Sequence, residues 1–154
     1  MARSKVEIGQ KPADVQYNVT AMLGTAANQL KDADVGKAVK LVGRARYGVC
    51  ADGDEIEGNI QSIENYTAET YTVGTVRTAG HLEAILVGTA NIGDYVVAAA
   101  QAALGTANDS ARFPRMKVKA AASQLAADVA LIKHKWRIVD GALTNGSVVT
   151  LERV

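Results

Sequence analysis

A run of carboxylates, Asp52, Asp54, Glu55 and Glu57, is the densest cluster of chemically capable side chains in the sequence. Oxygen ligands at alternate positions are what a hard cation such as calcium takes. The EF-hand spacing is missing and the loop is short, so these residues read as a solvated hairpin tip and no metal site is expected. The two histidines, His81 and His134, lie far apart with no partner at ligand spacing. With the single cysteine they supply too few ligands for zinc. Cys50 sits inside a strand-like run, Tyr47-Gly48-Val49-Cys50-Ala51, with no histidine near it in sequence to act as a base. A buried small hydrophobe is the expected role. Neither GxxxxGK[ST] nor a GxGxxG following a strand occurs, so no phosphate cradle is expected. No catalytic residue, metal or cofactor is expected, and the chain reads as a non-enzyme.

Two basic runs remain, Arg112, Arg115, Lys117 and Lys119, then Lys133, Lys135 and Arg137. Met116 and Val118 alternate with the first set, which predicts one charged strand face whose partner is an acidic protein surface. Nucleic acid is not expected as a partner. Aromatic residues, which stack on single strands, make up only 5% of the chain. The net charge of +1, from 17 lysines and arginines against 16 aspartates and glutamates, gives no bulk attraction to a polyanion. No apolar run is long enough to span a bilayer, and MARSKVEIGQKPADVQ has no apolar stretch after its basic residues. The expectation is therefore a protein made in the cytoplasm, with no membrane partner. Phe113 and Trp136 read as core or interface anchors.

The elements that position these residues read as strands. With few aromatics, the chain must pack through valine, isoleucine, leucine and alanine on closely spaced backbones, which suits a compact barrel or sandwich. In GKAVKLVG, Val39 and Leu41 are expected on one face and Lys40 on the other. Asp52-Gly53 is a hairpin-type turn, and Ile56 and Ile60 alternate after it. Tyr71, Val73 and Val76 are expected to point one way, Thr70 and Thr72 the other. Further turns are expected at Gly93-Asp94, Asp140-Gly141 and Asn145-Gly146, and Val149 and Leu151 alternate with Thr150 and Glu152. Short strands with such turns between them predict a mainly β fold, a small barrel or sandwich. Alanine-rich 98–105 and 118–135 resist this pattern. Leu125, Val129 and Ile132 share one helical face, which predicts one short helix around 118–133. A small-residue strand or loop at a subunit contact is the alternative.

Length fits one domain of 154 residues, divided here into an N-terminal arm, 1–25, and a β-rich core, 26–154. The arm shows alternation at Val6/Ile8 and Val15/Tyr17/Val19, with Pro12 holding its neighbour extended. An ordinary edge strand of the same domain is the other reading of this segment.

The segments VGKAVKLVG (35–43), DGDEIEGNIQSIENYTAETYTVGTV (52–76), GTANIGDYVVAAAQ (88–101) and WRIVDGALTNGSVVTLERV (136–154) resemble the head-decoration, or capsid-cement, proteins of tailed bacteriophages. The similarity lies in turn glycines and alternating valines over roughly 35–105 and 136–154. It does not extend to 118–135. The resemblance implies a virion protein on the outer surface of the capsid, bound to the major capsid protein, often trimeric, and without catalytic residues. On that reading Val6, Ile8, Pro12, Val15, Tyr17 and Val19 form the intersubunit or capsid contact. The alternative is another phage structural protein, such as a tail-tube or head-completion protein. A ligand-binding or enzymatic barrel and a bacterial adaptor are more distant readings.

Overall fold

The computed structural model describes residues 17–24, 29–66, 71–102, 116–123 and 135–154. They are mainly β, in two sheets. The first sheet contains β1 (Tyr17–Leu23), β2 (Ala38–Gly43), β3 (Arg46–Val49), β4 (Gly58–Tyr66) and β5 (Tyr71–Ala79). Its pairings run β1–β3–β2–β4–β5 and return from β5 to β1, closing a small barrel. Within this sheet β1 and β3 run parallel, and the other described pairs are antiparallel. The second sheet orders β7 (Val96–Ala98), β8 (Lys117–Ala120), β6 (His81–Leu86), β10 (Val148–Arg153) and β9 (Trp136–Gly141). Its outer strands approach each other through a bridge between Tyr95 and Arg137 and through the Gly93 N–H, which donates to the Ile138 carbonyl at 2.8 Å.

Each sheet has its own core. Leu23, Leu30, Val39, Ile60 and Val76 fill the barrel, with Val19, Val35, Tyr47, Val49 and Ile63 packed around them. The second core gathers Leu82, Leu86, Met116, Val118, Trp136, Ile138, Val149 and Leu151. It also takes Ala38, Cys50 and Ile56 from the barrel side. Ile56 and Ile60, adjacent in the alternation pattern, therefore serve different cores. Between them, Gly58 opens β4 so close to β5 that an added Cβ would lie 2.0 Å from the Arg77 carbonyl oxygen. The sheets are also joined through Gly80 (φ 90°), the one residue between β5 and β6. A positive φ there is inexpensive only for glycine.

Several local expectations change. Asp52-Gly53 does form a turn, but it joins no hairpin: β3 and β4 are not neighbours, and β2 lies between them. On β5 the inward residues are Thr72, Gly74 and Val76, while Val73 is partly exposed. The Thr72 hydroxyl can be buried because it donates to the Leu30 carbonyl at 3.5 Å. Val39 is fully buried but Leu41, in the same register against β3, is exposed, and the pairing shifts only beyond it, between Leu41 and Gly43. The expected helix around 118–133 begins instead as β8, followed by a 3-10 turn over Ala121–Ser123. Parallel pairing with β6 and antiparallel pairing with β7 override the helix preference of its alanines. Residues 124–134 lie outside the described set. Val149 and Leu151 are fully buried and alternate with partly exposed Thr150 and Glu152, as the period-two pattern predicts.

Candidate docking surface

Of the residues expected to make intersubunit contact, Val6, Ile8, Pro12 and Val15 lie outside the described residues. Tyr17 and Val19 belong to β1. That strand pairs with β5 from Tyr17↔Ala79 to Leu23↔Thr72, and its end pairs with β3 at Met22 and Leu23. Val19 packs against the barrel core. Residues 17–23 thus form barrel wall within a segment expected to be an arm.

The carboxylate run folds into the connection between β3 and β4, and it is matched by cations from several strands. Lys119 of β8 reaches Asp52 at 2.7 Å, and Lys40 of β2 reaches Asp54 at 2.6 Å. Lys135 pairs with Glu55 at 3.1 Å and with Glu57, to which Arg153 also lies close. The Arg153 guanidinium donates to the Thr78 and Glu57 carbonyls and lies 5.9 Å from the centre of the Trp136 ring. Backbone bonds reinforce the contact: Gly53 N–H donates to the Ala98 carbonyl and Ala98 N–H to the Asp54 carbonyl. Asp52 also accepts from the Ala100 N–H at 3.1 Å. The loop is a barrel connection docked onto the second sheet. The carboxylates are charge-compensated within the chain, and no group of His, Cys, Asp or Glu among the described residues is arranged to hold a metal ion. Burial tends to lower the Lys135 pKa, but its bonds to Glu57 and Glu55 outweigh that and raise it.

The expected charged strand face is turned inward in part. Lys119 and Lys135 are used in these internal pairs, and Lys117 is fully buried. The Lys117 ammonium donates to the Gln101 carbonyl at 2.8 Å. The Gln101 side chain accepts from the Lys117 and Ala38 N–H groups and donates to the Ala99 and Lys117 carbonyls. Arg112, Arg115 and Lys133 lie outside the described residues, as do His134 and Phe113; Trp136 is core.

Cys50 is buried, and its thiol donates to the Glu55 carbonyl at 3.7 Å. Burial, with a smaller contribution from the Asp54 charge, pushes the thiol up to about 12. At neutral pH it is a protonated, poorly nucleophilic group. His81 is exposed on the second sheet.

The surface feature that strand patterning did not pick out is the end of the β2–β3 hairpin. Leu41 is 51% exposed and Val42 45%. They adjoin Arg44, which is exposed, and Ala45, which holds a positive φ of 51° at the tip. Pairing of β2 with β4 covers Ala38 and Val39 only, extended by a bond from the Glu57 N–H to the Val39 carbonyl. Beyond that point β2 pairs, among the described residues, with β3. The available signal was the adjacent apolar pair Leu41-Val42 before Gly-Arg-Ala-Arg, which breaks strand alternation. No helix among the described residues is long and apolar enough to cross a membrane. No protein-family model matches the chain, and no curated protein matches it.

Proposed function

We propose that the chain is a non-enzymatic structural protein of a tailed phage virion. It binds the outer surface of the assembled capsid and stabilises contacts between major capsid subunits. It is made in the host cytoplasm and acts as a small oligomer, a trimer by preference. The observation that carries this reading is where the cement-like segments lie. VGKAVKLVG supplies β2, the segment 52–76 supplies β4 and most of β5, GTANIGDYVVAAAQ supplies β7, and 136–154 supplies β9 and β10. Those segments thus supply three strands of each sheet, while β1, β3, β6 and β8 come from outside them, and the docked β3–β4 loop couples the two sheets. A fastener needs such a rigid body and an exposed contact, with little side-chain chemistry. Repetition over many capsid sites turns modest contacts into firm attachment.

The test is co-sedimentation of the purified chain with expanded heads assembled from the major capsid protein of the same genome, alongside a sedimentation mass of the free chain. Saturable binding to heads by a small oligomer is expected. Spontaneous rods from the chain alone would instead favour a tail-tube role.

A further inference from the structure

Followed from β6, the second sheet has the same circular strand order as the barrel. The barrel runs β1–β3–β2–β4–β5 and closes. The second sheet runs β6–β8–β7–β9–β10 and returns to β6, with the Tyr95–Arg137 bridge as its β7–β9 link. The pairs β1–β3 and β6–β8 are parallel, and the other described pairs of both sheets are antiparallel. Backbone bonds recur in step. The Gly36 N–H donates to the Ile60 carbonyl and the Ile60 N–H to that of Lys37, just as Gly93 donates to Ile138 and Ile138 to Asp94. The Cys50 N–H reaches the Ala38 carbonyl as the Ala121 N–H reaches that of Tyr95. The irregularity repeats as well: pairing with β5 skips Gln61, and pairing with β10 skips Val139. Leu23, Val39 and Ile60 thereby match Leu86, Val96 and Ile138, identical residues buried in each half. The described parts of 17–79 and of 81–154 are thus two repeats of one strand arrangement, joined at Gly80.

We infer that the contact joining these repeats recurs between copies of the chain, so that the end of β2 in one copy receives the second repeat of another. This rests on the proposed function and names the contact behind its oligomer. Within the chain, the β3–β4 loop of the first repeat lies along β7 of the second. The Gly53 N–H donates to the Ala98 carbonyl at 2.8 Å, and the Ala98 N–H donates to the Asp54 carbonyl at 2.9 Å. Ala98 faces Val118 across β7–β8 as Leu41 faces Tyr47 across β2–β3. Val118 and Tyr47 are themselves matched, since their carbonyls accept from Val87 and Gly24. Leu41 and Val42 are therefore the counterparts of Ala98 and Ala99. Ala98 and Ala99, on the strand that takes the loop, are 0% and 1% exposed, whereas Leu41 and Val42 are 51% and 45% exposed. The surface that takes a neighbouring repeat in one half thus turns two large apolar side chains to solvent in the other. Such a pair gains by being covered. The chain's own second repeat leaves Leu41 and Val42 exposed, so the occupant is the second repeat of another copy. A contact between unlike surfaces of this kind closes into a ring when the rotation per copy allows it. Three chains would then alternate first and second repeats around one ring.

The test is the sedimentation mass of the full chain beside Leu41→Asp and Val42→Asp, made separately, with circular dichroism to check that each folds. The unaltered chain should be an oligomer and each folded variant a monomer, since a buried carboxylate opposes the contact. Hydrogen exchange of the oligomer against a monomeric variant should then show amides at 40–46 and on the second repeat slowed about tenfold or more. A monomeric unaltered chain would overturn the inference, and so would an oligomer that both folded variants leave intact. Slowing confined to the β2–β3 hairpin would mark two like edges paired and would overturn it too. Binding to expanded heads is measured in parallel and decides the proposed function by itself. Head binding by a chain that sediments as a monomer would leave the capsid role standing and remove this contact.

Discussion

At the scale of single residues, Cys50 and Gln101 carry measurable consequences. A thiol held near 12 is ionised at pH 8 to only about one part in ten thousand, against roughly a fifth for an ordinary cysteine. Labelling of the folded chain by a disulfide reagent should therefore be at least about a hundredfold slower than in urea; comparable rates would contradict the burial described. Because the folded pKa lies above the ordinary value, the buried thiol favours folding below pH 9 and that contribution is lost as pH rises toward 12. Cys50→Ala should flatten this alkaline fall in stability. Gln101→Leu would strand the Ala38 and Lys117 N–H groups and the carbonyls of Ala99 and Lys117 that its amide serves. Leaving several buried polar groups unmatched should cost about 2–4 kcal/mol, read as a lower urea midpoint with an unchanged slope.

At the scale of elements, the strands meet closely where glycine allows. A Cβ at Gly74 would lie 2.2 Å from the Ser62 carbonyl oxygen and 2.5 Å from Leu23 Cδ1. Gly74→Ala should therefore cost about 3 kcal/mol or more by forcing β4 and β5 apart. Gly88→Ala meets nothing within 4 Å and should cost only the strain of its φ of 88°, about 1–2 kcal/mol. Thermal denaturation of the pair checks the ordering. Strand character was readable from valine and isoleucine alternation, and Val149/Leu151 matches it residue by residue. What was not readable depended on partners distant in sequence. Thr72 turns inward because Leu30 accepts its hydroxyl, Ile56 leaves the barrel for the other core, and β8 forms from alanine-rich sequence because β6 and β7 flank it. Asp-Gly marked a turn correctly but not which strands it joined. The carboxylate run was visible as a cluster, yet its role depended on Lys40, Lys119, Lys135 and Arg153 arriving from elsewhere in the chain. The expected contact residues 6–15 lie outside the described residues, so the candidate surface at Leu41 and Val42 emerged only from the fold.

At the scale of the whole molecule, the β3–β4 loop sets how the barrel and second sheet sit together. Its ion pairs are partly exposed, so each contributes modestly, and the buried Cys50 and Ile56 add the apolar share. Lys135, raised by Glu57 and Glu55, contributes fully below its ordinary value of 10.5 and loses that contribution as pH climbs through the folded value. Glu57→Gln should lower stability at pH 7 by about 1 kcal/mol. It should also weaken the dependence on pH above about 10. A rigid two-sheet body with an exposed hairpin edge suits attachment to a repeating surface. The most direct measurement is electron microscopy of expanded heads mixed with the purified chain. The account predicts density at regular sites on the outer shell, between neighbouring capsid subunits. Bare heads in the presence of folded chain in excess would contradict it.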